Sequence, residues 1–135
     1  MKLIKFICSL VMLLVVTSAF TMKEHDGKGV YIVGVSASFT DSLIYFTDVQ
    51  FVEGAEIKNK LLQNRERYSS QLKDYLELKE GLTDRTCFVY FSDNEKKLQK
   101  KVVKMKNRYQ KGNSLLIRQV NPNSFNFVNP VDGNN

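Results

Sequence analysis

The chain has no tryptophan, one histidine, two cysteines and two prolines among its 135 residues. Two thiols, Cys8 and Cys87, are too few for a disulfide scaffold. A structural zinc site needs four cysteine or histidine ligands, more than the chain holds. Ser-His-Asp and Cys-His devices need a histidine oriented by a third group. His25 lies in a polar stretch, FTMKEHDGKG, where no such group is expected. There is no GxxxxGK[ST] loop and no GxGxxG turn, so the common phosphate cradles are missing. What is present is ordinary for a globular protein: 43% hydrophobic and 25% charged residues, with a net charge of +6. These proportions exclude a collagen-like or wholly disordered chain, and the length predicts one domain.

The N-terminus carries the pattern of an export signal. Lys2 and Lys5 precede the uncharged run FICSLVMLLVV, and Thr17, Ser18 and Ala19 supply the small residues of a cleavage site before Phe20. Residues 1–19 are therefore expected to be a signal peptide, which points to the periplasm or beyond. An uncut signal would make residues 3–22 an inner-membrane anchor, although that run is short for a span. Cleavage removes Cys8 and leaves Cys87 as the one thiol. Its place in the apolar run CFVYF predicts burial. Residues 20–29 read as a flexible leader, and residues 129–135 as a disordered tail.

Between them, residues 30–128 predict a single α/β domain. Residues 30–39 alternate in period two, with Tyr31, Val33, Val35, Ala37 and Phe39 on one face and small residues on the other. Residues 43–52 predict a second strand, antiparallel to the first across Thr40-Asp41-Ser42. Its faces would hold Leu43, Tyr45, Thr47, Val49 and Phe51, and Ile44, Phe46, Asp48, Gln50 and Val52. Leu61 and Leu62 should anchor the polar stretch that follows. Tyr68, Leu72, Tyr75 and Leu76 mark a first helix over about residues 65–79. TCFVYF reads as a strand buried on both faces and hence central. Ser92-Asp93-Asn94-Glu95 matches a capping box for a second helix, with Leu98, Val102, Met105 and Tyr109 inward. LLIRQV is a last strand, and Phe125 and Phe127 form either a short edge strand or an aromatic strap. The order β-β-α-β-α-β predicts a mixed sheet of four to five strands packed with two helices, its two βα units making parallel neighbours.

Charge supplies the clearest functional signal. In the second helix eight cations oppose only Glu95. Lys97, Lys100, Lys101, Lys104 and Arg108 are the candidate contacts for an anionic partner, a lipid surface or a polysaccharide. The plainer alternative is a solvated helix face. Nucleic acid is not expected, because export removes the chain from it and arginines for base reading are few. Asp41 and Asp48, with Glu53 and Glu56 beyond, are the carboxylates that a hydrolase or a hard cation would use. No EF-hand or helical acidic motif supports that chemistry, so turn and surface roles are the favoured reading.

The stretches GVSASFTDSLIYFTDVQ, NRERYSSQLKDYL and RTCFVYFSDNEKKL resemble small uncharacterised exported proteins of Gram-negative gut bacteria. The resemblance implies an envelope location and carries no site residues, because no activity is attached to that group. Together these readings predict an exported, non-enzymatic envelope protein without cofactor or metal. It would bind an envelope component, anionic or protein, through its basic helix. The alternatives are a small carboxylate-dependent hydrolase, or a subunit of a larger envelope assembly.

Overall fold

The structure, a computed structural model, describes residues 28–112 and 114–130. The predicted signal peptide, the alternative anchor, His25 and residues 131–135 lie outside the described residues.

Strand β1 (Gly29–Ser38) is the axis of the sheet. Along one side it pairs with β2 (Leu43–Phe46) and β3 (Gln50–Glu53), both antiparallel. Along the other it pairs with β6 (Arg85–Ser92) over eight positions, also antiparallel. Strand β7 (Leu116–Gln119) lies parallel to β2 and closes the far edge. A small hairpin, β4 (Ile57–Lys58) with β5 (Leu61–Leu62), stands apart from this sheet. Helix α1 (Arg65–Leu78) packs on one face and α2 (Glu95–Lys111) on the other. The result is the mixed sheet with two helices that the sequence predicts.

Strand direction explains why the helices take opposite faces. β3, β6 and β7 all run against β1. The link β3-α1-β6 crosses the sheet one way, and β6-α2-β7 crosses back. Two crossovers of the same hand in opposite directions must place their helices on opposite faces. The parallel strands β3 and β6 consequently flank β1 instead of lying side by side.

Four local expectations are corrected. The predicted strand over residues 43–52 is broken by a bulge. Between the pairs Val35↔Phe46 and Ile32↔Gln50, β1 has two residues and its partner three. Thr47 N–H donates to Gly34 O at 2.9 Å, and Gly34 N–H donates to Thr47 Oγ1 at 2.8 Å. The extra residue exchanges the faces downstream. Ile44 and Phe46 bury beneath α2, whereas Val52 joins Val30 and Ile32 beneath α1. Second, β6 is an edge strand, not a central one. β1 is its one partner in the sheet among the described residues, and the helices half-cover its aromatics. Third, Asn94, not Ser92, caps α2, accepting from Lys97 N–H at 3.1 Å, while Ser92 Oγ accepts from Asn94 N–H. Fourth, Leu62 is buried but Leu61 is exposed, because the two sit on opposite sides of β5.

The small face of β1 is closed by close packing. A Cβ at Gly34 would lie 2.7 Å from Leu72 Cδ2 and 2.9 Å from Phe127 Cζ, so only glycine lets α1 and the C-terminal segment approach. At the end of α1, Gly81 takes φ +68°, which only glycine adopts freely. Leu82 N–H then reaches Leu76 O at 2.8 Å. The C-terminal segment is a strap, not a strand. Phe125 and Phe127 meet edge to face, each 6% exposed, and pack against Tyr75 and Tyr68 of α1. The strap extends beyond the predicted boundary to Asn129, which is buried and donates to Glu53 O.

Candidate functional site

The cations of α2 fall into two sets. Lys97, Lys101, Lys104 and Arg108 stand at i, i+4, i+7 and i+11, which aligns them along one flank. Lys100 falls about 60° further round toward solvent, at 100° per residue. All five are exposed. The adjoining side of the helix, about a quarter turn round, buries Leu98, Val102 and Met105 against Val33, Val35, Ile44 and Phe46. Each such side chain contributes roughly 2 kcal/mol, and this burial fixes which way the basic flank looks.

It looks over β6. Lys101 Nζ sits 4.7 Å above the centre of the Tyr90 ring, whereas Lys106, on the other flank, covers Phe46 at 5.2 Å. Lys101, Lys104 and Arg108 border a hollow of about 250 Å³ with Tyr90 and Tyr109 on its walls and Met105 at its base. Burial pushes the Tyr90 hydroxyl up from its ordinary value, with Tyr109 adding to the shift, while Arg65 and Arg108 pull it down. Tyr90 therefore stays a neutral donor through the physiological range. Three cations and two phenolic hydroxyls make a site suited to carboxylate, phosphate or sulfate oxygens. Of the predicted contact residues, the structure brings Lys101, Lys104 and Arg108 together at the hollow. It places Lys97 on the same flank one turn earlier and leaves Lys100 outside.

The carboxylates do not converge. Asp41 Oδ2 takes Arg85 Nη1 at 2.7 Å, while Asp48 Oδ1 accepts from Gln50 Nε2 at 2.8 Å in the bulge. The two acids thus serve different networks. The Arg85 network was not visible in the sequence. Arg85 is 3% exposed and binds Ser36 Oγ, Asp41 and Leu43 O beneath the face of Tyr45. Ser36 Oγ also accepts from Cys87 Sγ at 3.4 Å. Burial raises the half-buried Cys87 thiol above its ordinary range, against the pull of Ser36, Arg85 and Lys73. A thiol so held is a poor nucleophile.

Further hollows lie elsewhere on the described surface, among them one of about 220 Å³ between β3 and the strap, lined by Phe51, Val52, Glu53, Phe127, Val128 and Asn129. Another of about 230 Å³ lies between α1 and β6, with Ser69, Ser70 and Lys73 facing Arg85, Thr86 and Cys87. One of about 420 Å³ lies beside the β4–β5 hairpin, lined by amides and by Glu56, which pairs with Lys58 at 3.2 Å. Among the described residues no three His, Cys, Asp or Glu side chains gather as a metal site would require. No helix among them is long and apolar enough to cross a membrane.

Comparison with known proteins adds no relative to this picture: no family model, no curated protein and no solved structure matches the chain.

Proposed function

We propose that the protein is an exported binding module of the cell envelope, not an enzyme, and that the β6-facing flank of α2 docks an anionic component. One observation carries the reading: Lys101, Lys104 and Arg108 share a hollow with Tyr90 and Tyr109, both packed against the core beneath the helix. Four of the helix's eight cations follow this flank, the others spread over the outer arc and the far flank, and Glu95, in the first turn, is the only acid in the helix. The signal-like pattern of residues 1–19 supports export, and a chain recovered from native cells should then begin near Phe20.

The test is retention on isolated envelope material. Replacing Lys97, Lys101, Lys104 and Arg108 by glutamate should abolish retention at physiological salt while the melting temperature changes little. Exposed charges rarely shift stability by more than about 0.5 kcal/mol, and loss of the Lys101–Tyr90 contact adds less than about 1 kcal/mol. Raising salt should weaken binding of the unaltered chain steeply, as screening shortens the reach of exposed charges to within about 8 Å. Undiminished retention of the fourfold variant would sink the reading.

A further inference from the structure

The hollow beside Tyr90 gathers polar groups that the fold does not use. Among the described residues no carboxylate pairs with Lys101, Lys104 or Arg108, and neither the Tyr90 nor the Tyr109 hydroxyl hydrogen-bonds to another residue. The groups are nonetheless held in place. The Lys101 ammonium rests on the Tyr90 ring, and the Tyr109 ring packs 6.2 Å from that of Phe46. The hollow holds about 250 Å³, less than the roughly 300–1,000 Å³ of pockets that enclose a whole small ligand. It has room for one ring-sized unit. The row of cations continues past it to Lys97. From Lys97 to Arg108 it runs about 16 Å, with neighbours about 4.5–6 Å apart along the axis. A ligand that fills the hollow and also meets the row is therefore a chain of ring-sized units, with a negative charge at each short step.

We infer that this flank takes an acidic polysaccharide, a chain of hexuronic acid rings with one ring seated in the hollow. Each ring brings a carboxylate for the cations and hydroxyls that pair with the two phenols. The carboxylate of a peptide side chain, or a lipid phosphate, would satisfy the cations and leave both phenols unmatched. Shape also disfavours a bilayer. Lys96 and Lys100 stand on the outer arc, roughly opposite the buried stripe, so a flat surface meets them before it reaches a hollow set back toward β6. The inference rests on the anionic reading of α2 and names the ligand class of that site.

The test uses the full chain. The probes are tetramers of galacturonate, mannuronate and guluronate, the same tetramers methyl-esterified, tetraglutamate, and phosphatidylglycerol vesicles. At least one uronate tetramer should bind, about tenfold or more tighter than its ester and than tetraglutamate. K104E/R108E should weaken it about tenfold or more. K96E/K100E makes the same change of charge on the outer arc and should weaken it about threefold at most. Y90F/Y109F keeps both rings and should still weaken it about fivefold, the worth of one to two hydrogen bonds. Thermal melts check that all three variants are folded. Equal losses from the two charge reversals overturn the inference, as does undiminished binding by Y90F/Y109F. Tetraglutamate or vesicles that bind as tightly as every uronate also overturn it, and leave the anionic reading of α2 standing. If no uronate binds, the sugar class falls; retention of the fourfold variant on envelope material then decides whether the anionic reading falls with it.

Discussion

Beneath α1 the sheet buries Ser36, Thr47, Gln50 and Arg85 among its apolar side chains; beneath α2 the described core is Val33, Val35, Ile44, Phe46, Leu98, Val102 and Met105. The difference follows from what each face must accommodate. On the α2 face the fully buried residues described all come from regular elements, whose main-chain groups are satisfied by their own ladders and helix. On the α1 face a turn, a bulge and the C-terminal strap run inward. Each brings main-chain groups that need partners. Gln50 serves the strap, donating to Phe125 O and accepting from Phe127 N–H at 2.7 Å. Arg85 serves the turn through Leu43 O. Among the described residues no buried side-chain polar atom is left without a partner. Polar side chains therefore close one face, while the other keeps its charges outside, where they are free to bind.

The sharpest way to break this contrast is Gln50→Leu. It keeps apolar volume but strands Phe127 N–H and Phe125 O, at about 1–3 kcal/mol for each orphaned group. A loss of about 3 kcal/mol is expected in denaturant melts, against under about 1.5 for the shape-conserving Met105→Leu on the other face. Comparable losses from the two would show that the strap is held by its aromatic rings alone. Asp41→Asn comes next. It removes the counter-ion of a buried guanidinium, a change that costs 3–5 kcal/mol in fully buried pairs. The Asp41 side chain is 35% exposed, so water offsets part of this, and about 2 kcal/mol is expected. Lys101→Met, which removes an exposed cation from over the half-buried Tyr90 ring on the α2 face, should cost less than about 1 kcal/mol. A larger loss from Lys101→Met than from Asp41→Asn would reverse the comparison.

The sequence shows the α2 face far better than the α1 face, for a physical reason. Helix periodicity placed Leu98, Val102 and Met105 inward and the cations outward, because both follow from spacing within one element. Which flank of the helix would matter depended on the neighbour, and Tyr90 lies in a different element. The α1 face depends on pairs distant in sequence: Arg85 with Ser36 and Asp41, and Gln50 with Phe127. Arg85 stands at the head of an apolar run, and nothing local to it in the sequence marks it as buried. One signal was available for the bulge. A strand that alternates through Ile44 and Phe46 and then sets Asp48 and Gln50 on that apolar face has a broken pattern, and an inserted residue repairs it. The edge position of β6 had no such signal, since flanking helices shield an edge strand's side chains much as sheet neighbours would.

The smallest expected effect separates the faces by titration. Burial raises Cys87 on the α1 face above its ordinary 9.0, and Tyr90 on the α2 face above its ordinary 10.0. A raised value means that the folded state holds the proton more tightly than the unfolded chain does. The stability each group contributes is thus complete below its unfolded value and is lost as pH rises through its folded one. Stability should be flat with respect to these groups up to about pH 9, decline first through Cys87, and decline further through Tyr90. Cys87→Ala should remove the early part of the decline, and Tyr90→Phe the later part. Tyr75, also raised by burial and by Glu80, lies on the α1 face, so Tyr75→Phe is needed to assign what remains. Melts between pH 8 and 11 check the order. A decline that Tyr90→Phe removes first would mean that the hollow beneath α2, not the Ser36–Arg85 cluster, is the more strongly desolvated of the two sites flanking β6.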